Sequence, residues 1–341
     1  METILVLLHT EADGSLSKQA WEACQAARAA AEASGGGTLA AGVVGAGAGT
    51  AAERLGGLGA QRVLAVEGEA FAVSRYATDA AAAEALAREA QATLLLAPGT
   101  PRWSRALPGV AQRLNAKVDT HVTALSYDGG ALTVSRWYYR QRIEVTLARE
   151  ARPWVVLLDG GAFPAWAPAG AQAQVELVAP PPPAVRTRVE GVETPASDRQ
   201  TIRPDAPLLF VAGAGWTKKQ KDGQTHVEEA ATLIADFVAR APCSLGSSKS
   251  LVDLSGEGQA VLPFLTHLHQ VGQTGSTPRH PKGLATCCHG EEPHVVGWRF
   301  IADRRAVNLD ANCGWARGKA DVLYVADAFA VMRHLNALLG G

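Results

Sequence analysis

Two stretches of the chain concentrate residues suited to chemistry rather than to packing. Gln270, Val271, Gly272, Gln273, Thr274 and Gly275 follow one another, giving two glycines, two amides and a hydroxyl with almost nothing to bury. Glycines let backbone N–H groups approach a ligand closely, and successive N–H groups form a nest for an anion. Upstream, Ser247, Ser248 and Lys249 open a helix after the apolar run 242–246, a place where hydroxyls and the positive helix end suit a pyrophosphate. Asp310 and Asp327 follow two further apolar runs. Taken singly, each loop reads as an ordinary turn. Their recurrence at several strand ends in one half of the chain is what points to a ligand. The segment 212–217 has only part of the Gly-x-Gly-x-x-Gly spacing and carries little weight alone.

The second stretch, 287–294, reads Cys-Cys-His-Gly-Glu-Glu-Pro-His. Cys287, Cys288, His289, His294 and Cys313 are metal-ligand types. Adjacent cysteines in a strand point to opposite faces, however, and no Cys-x2-Cys or His-x3-His spacing accompanies them. A thiol nucleophile is a second reading, because Cys288 precedes His289 at a helix start that lowers a thiol pKa. Adjacency in sequence is not hydrogen-bond geometry. His267 and His269, on either side of Leu268, read as surface or internally satisfied loop histidines.

The elements that must position these residues fall into two halves. A length of 341 residues with 47% apolar content supports two cores. The net charge of −1, with Lys and Arg scattered, gives no sign of a nucleic-acid partner. No run reaches the ~18 apolar residues of a membrane span. The first residues lack a basic leader region and read as a buried strand. Five cysteines, an odd and sparse count, fit a reducing compartment, and the expectation is a cytoplasmic protein.

Short apolar runs at 4–8, 38–45, 62–67 and 93–98 alternate with helical patterns at 17–31 and 76–90, the rhythm of buried parallel strands in an α/β sheet. Residues 121–140 alternate about Asp-Gly-Gly and predict an antiparallel hairpin. Pro180, Pro181, Pro182 and Pro183 begin a polar, extended stretch. The rhythm then restarts with strands at 207–213, 242–246, 283–288, 306–309 and 322–327 and helices at 225–240 and 326–339. The fold class expected is α/β with two doubly wound parallel-sheet domains. An N-terminal domain spans 1–178, a proline-rich linker 179–205 and a C-terminal domain 206–341.

At Gln270 to Gly275 the chain resembles the electron-transfer flavoprotein α subunit family, whose C-terminal FAD domain carries Gln-Val-Gly-Gln-Thr-Gly. Further matches stand at the family's intervals: Gly290, His294, Gly297, Ala306-Val307-Asn308 and Val325-Ala326-Asp327. The family's Gly-Ala-Ser-Arg resembles Gly246-Ser247-Ser248-Lys249. The N-terminal half is similar too, from the first strand to the strand pair at 131–148, so the resemblance covers essentially the whole chain.

The resemblance implies an FAD site. Gln270, Val271, Gly272, Gln273, Thr274 and Gly275 would cradle the isoalloxazine ring, with Thr274 near N5. His289 and Gly290 would also contact the cofactor, and His294 would face the C2 carbonyl, where a donor stabilises the negative charge of the reduced ring. Lys249 would stand near the ring in place of arginine, Ser248 would meet the pyrophosphate, and Asn308, Asp327 and Ala328 would hold the ribose and adenine end. The implied partners are an electron-transfer flavoprotein β subunit, whose own ligand in this reading is AMP, a flavin-dependent dehydrogenase as donor, and a quinone oxidoreductase or iron–sulfur acceptor. The chain would be an electron carrier, not an enzyme.

There are departures. The family's Gly-Gly-Arg-Gly is Gly213-Ala214-Gly215-Trp216, its Ser-Gly-Ala-Ile-Gln-His is His289-Gly290-Glu291-Glu292-Pro293-His294, and arginine has become Lys249. Glu291 and Glu292 are expected as helix N-terminal carboxylates facing water. The altered shell suggests a specialised paralogue serving a particular dehydrogenase. Two alternatives remain: a redox-inactive nucleotide-binding structural subunit of a dehydrogenase complex, and a thiol or metal enzyme built on Cys288 and His289.

Overall fold

A computed structural model describes residues 2–128, 130–139, 143–191, 202–203, 206–253, 260–272, 279–286, 298 and 301–340. The chain divides into two compact units, Met1–Glu193 and Thr194–Gly341.

In the first unit the apolar runs become strands β1 (Thr3–His9), β2 (Thr38–Val44), β3 (Arg62–Val66) and β4 (Leu94–Pro98). Ile4 to Leu8 are fully buried because helices cover both faces of the sheet. Ile4, Val6 and Leu8 pack with helices α1 (Lys18–Ala33) and α2 (Ala48–Glu53), after which a short helix α3 (Glu69–Ala72) leads on. Leu5 and Leu7 pack on the other face with α4 (Tyr76–Glu89) and α5 (Pro101–Arg113). The period-two alternation along β1 thus serves two cores at once. Helix starts carry oxygen caps: Ser17 accepts from the Ala20 amide at 3.3 Å, and Thr100 from the Trp103 amide at 3.4 Å, with proline in the first turn of α5.

Four more strands, β5 (Lys117–Asp128), β6 (Ala131–Tyr138), β7 (Ile143–Ala148) and β8 (Trp154–Leu158), lie beyond β4, and β9 (Val175–Leu177) lies beyond β3. Among the described residues the sheet order is β7-β6-β5-β8-β4-β1-β2-β3-β9. The hairpin expected at 121–140 is present, with Asp128 opposite Ala131. β6 pairs antiparallel with both β5 and β7 and is the reversed strand of an otherwise parallel sheet, so this sheet is mixed.

Asp119 on β5 is 1% exposed and accepts from Arg136 at 2.7 Å, Trp154 Nε1 at 2.9 Å and Arg149 at 3.1 Å, tying β5 to β6 and β8. Burial pushes its carboxyl upward, but the hydrogen bonds from Arg149, Arg136 and Trp154 outweigh it and hold the group below the usual carboxylate range.

The second unit contains β10 (Leu208–Ala212), α6 (Val227–Arg240), β11 (Cys243–Ser247), α7 (Lys249–Asp253), β12 (His280–Thr286), β13 (Ile301–Asn308), α8 (Gly314–Lys319), β14 (Val322–Val325) and α9 (Ala328–Leu339). The described strands are all parallel, in the order β11-β10-β12-β13-β14. Counted from β10, that is the flavodoxin-like 2-1-3-4-5 order, whose switch point falls between β10 and β12. One further parallel bridge, Ser247 with Gln270, continues the sheet past β11.

At the amino ends of the strands, Ser244 Oγ accepts from the Arg203 amide at 2.9 Å, and His280 Nε2 lies 2.9 Å from the Arg203 carbonyl. These contacts latch the incoming chain to the sheet. No helix in the described residues is long and apolar enough to cross a membrane.

Candidate functional site

Open parallel sheets bind ligands outside the carboxyl ends of their strands, at the switch point. In the second unit those ends belong to β10, β11, β12, β13 and β14.

At the end of β11, Ser247 and Ser248 are fully buried, and neither hydroxyl has a hydrogen-bond partner among the described residues. A buried unpaired hydroxyl carries a penalty of about 1–3 kcal/mol. Two in succession, at a strand end where ligands bind, have the character of groups awaiting one. The Ser248 amide is fixed to the Ala212 carbonyl at 2.8 Å, and Lys249 begins α7 immediately after.

The Val271 amide donates to the Ser247 carbonyl at 3.0 Å, which brings Gln270, Val271 and Gly272 alongside Ser247 and Ser248. Val271 itself faces the core with Leu209, Val211 and Ala285, so its side chain anchors the segment and its main chain borders the site. Gly246 makes this approach possible, since a Cβ there would meet Val271 Cγ2 at 2.8 Å. Gly272 has φ 75°, a left-handed conformation that favours glycine. His269 precedes this stretch in a short 3-10 turn (His267–His269) and is buried. Its Nδ1 accepts from the Thr266 amide at 3.1 Å, matching the expectation of a satisfied loop histidine.

At the end of β10 the chain enters a 3-10 turn (Ala214–Thr217) that buries Trp216. The indole Nε1 donates to Thr286 Oγ1 at 2.9 Å, and the ring packs on Phe329 with centroids 4.6 Å apart. Thr286 Oγ1 donates in turn to the Val211 carbonyl at 3.1 Å. Gln220 Nε2 closes the turn by donating to the Gly215 carbonyl at 3.0 Å.

At the ends of β13 and β14, Asn308, Asp327 and Ala328 line one narrow crevice with Gly215, Gln220 and Phe329. Asn308 Oδ1 accepts from the Asp310 amide at 2.8 Å, and Asp327 Oδ1 caps α9 by accepting from the Ala330 amide at 3.1 Å. Asp327 therefore has a structural duty whatever else it holds.

The expected residues thus form two clusters on one sheet edge. Ser248, Lys249, Gln270, Val271 and Gly272 gather at the β11 end, and Asn308, Asp327 and Ala328 at the β13–β14 end. With strands ~4.8 Å apart, three or four spacings separate them, roughly 14–19 Å, a reach suited to a dinucleotide lying across the strand ends. Orphaned hydroxyls, a glycine-dependent cradle and a crevice on the same edge fit FAD. Gln273, Thr274, Gly275, His289, Gly290 and His294, with Cys287, Cys288, Glu291, Glu292 and Pro293, lie outside the described residues.

The described residues contain no group of three His, Cys, Asp or Glu side chains that could hold a metal ion. Burial pushes the Cys243 thiol up to about 11 and the Cys24 thiol up to about 12. Sequence reasoning missed Thr286, Phe329 and the position of Trp216. These three are joined only by the fold.

A search of curated proteins returned no match. The family model of the electron transfer flavoprotein domain matches residues 4–183, a stretch within the first unit, whereas the cradle lies in the second. Proteins of that family carry electrons rather than turn over a substrate of their own. With more than half of its length matched, the chain belongs to the electron transfer flavoprotein family.

Proposed function

We propose that the chain is the α subunit of an electron transfer flavoprotein and binds one FAD across the carboxyl edge of its second sheet. It pairs with a β subunit in the cytoplasm, takes electrons from a flavin-dependent dehydrogenase and passes them to a quinone oxidoreductase or an iron–sulfur acceptor. When bound, the isoalloxazine ring supplies the redox chemistry. The chain's own residues bind and orient it.

The observation that carries this reading is the pair of buried, unpartnered hydroxyls of Ser247 and Ser248 beside the Gln270–Val271–Gly272 main chain. Ser248 would meet the pyrophosphate, Lys249 would stand near the ring, and Asn308, Asp327 and Ala328 would hold the adenosine. Gln273, Thr274, Gly275, His289, Gly290 and His294 complete the ring end in the same reading.

A redox-inactive nucleotide-binding subunit shares the adenosine end. It finds support in Trp216, which fills the turn where the resembling family has small residues and arginine. Absorption of the purified complex separates the two. Visible flavin bands that bleach on reduction support the carrier, and a colourless complex retaining an adenine nucleotide supports the subunit.

A further inference from the structure

The first unit carries a cavity of about 680 Å³, within the ~300–1,000 Å³ range of small-molecule sites. Its floor is one face of α4. Ala77, Ala81 and Ala85 recur every four residues and stay half-buried, whereas Ala80, Ala83 and Ala87 on the same helix are buried in the core. The opposite wall is the extended segment of Pro181, Pro182 and Pro183. Methyl groups and pyrrolidine rings offer no hydrogen bonds, so the interior suits an apolar body.

The charged groups sit around it and are mostly cationic. Glu84 pairs with both Arg88 at 2.8 Å and Arg113 at 3.4 Å. The Arg113 guanidinium also lies 5.8 Å from the centre of the Tyr76 ring. Tyr76 is seated by Gly109 of α5, where a Cβ would overlap the tyrosine hydroxyl. Arg88 and Arg113 stand in the last turns of α4 and α5, where cations complement the helix ends. Arg186 serves no helix and makes no ion pair among the described residues, yet it lines the same cavity. With Glu84 the one carboxylate among these lining residues, two positive charges stand in excess.

We propose that this cavity binds a small amphipathic anion, an apolar carboxylate whose body lies between the alanine and proline walls and whose head group meets Arg186 and Arg113. Arginine's planar fork matches a carboxylate with two hydrogen bonds. The site is separate from the strand-end cradle of the second unit and does not depend on it.

Calorimetric titration of the full chain with decanoate, with and without saturating FAD, tests this. The expected result is one decanoate per chain, no measurable binding of acetate, and no effect of FAD. Ala81→Trp fills the floor from a half-buried position and should remove binding. Arg186→Glu should weaken it about tenfold or more, the cost of losing a charge-assisted hydrogen bond. Both variants should keep the wild-type melting temperature, and the exposed Arg186→Glu change decides alone if Ala81→Trp disturbs folding. Unaltered decanoate affinity in Arg186→Glu overturns the proposal, and so does competition by FAD, which would place decanoate in the second unit.

Discussion

The Val271 amide donates to the Ser247 carbonyl at 3.0 Å, and this one bond sets the glycine- and glutamine-rich segment against the end of β11. Val271 is buried below it and Ser248 follows beside it, so packing and site geometry share a single hinge point.

Gly246 holds that relationship open. In Gly246→Ala the new methyl would press on Val271 Cγ2 at 2.8 Å and Leu209 Cδ1 at 3.1 Å. Overpacking of this kind costs about 1–3 kcal/mol. We expect a lower melting temperature in calorimetry together with weaker FAD retention on gel filtration, because Val271 must shift and carry Gln270 and Gly272 with it.

Ser247 and Ser248 predict effects of opposite sign. Removing an unpartnered buried hydroxyl relieves desolvation, so Ser247→Ala and Ser248→Ala should leave the ligand-free chain as stable or more stable, by up to about 1–2 kcal/mol. The same Ser248→Ala change should lower FAD affinity about tenfold or more, measured by fluorescence titration. A loss of stability without FAD would mean that the hydroxyls serve the fold.

Trp216 carries both packing and a hydrogen bond. Trp216→Phe keeps the stack on Phe329 and gives up the bond to Thr286, at a cost of about 1–2 kcal/mol. Trp216→Ala empties the position and should cost about 3–5 kcal/mol in denaturant unfolding.

Asp119 sets an acid limit on the first unit. Its folded pKa is depressed, so its contribution is complete above the unfolded value of about 4 and is lost as pH falls through the folded value. Thermal melts from pH 6 downward should fall below about pH 4, and Asp119→Asn should flatten that dependence while lowering stability at neutral pH, since Arg136 and Arg149 lose their shared partner.

Much of the fold was legible in local patterns. The unbroken apolar run of β1 predicts a strand buried on both faces, and the alternation on either side of Asp128 predicts the hairpin. The start of β13 was hidden because the charged residues Asp303, Arg304 and Arg305 precede the apolar run at 306–309. In the fold Arg304 pairs with Asp321 at 2.7 Å and Arg305 reaches Tyr324 Oη at 2.9 Å, so the charges decorate a strand near the sheet edge. β14 was expected as a strand from its apolar run, and Val325 is 57% exposed because no described strand covers its outer side.

The site divides in the same way. Glycines, hydroxyls and amides at strand ends mark the candidate edge from local composition alone. The closure of that edge does not, since Trp216, Thr286 and Phe329 come from segments far apart in the chain and meet only once the sheet has assembled.

The most direct measurement is FAD uptake by the protein purified with the proposed β subunit. Stripped of ligand and titrated with FAD, the complex should bind one equivalent, show flavin absorption that bleaches reversibly, and lose most of its affinity in Ser248→Ala. A complex that takes up no FAD even in excess would contradict the account.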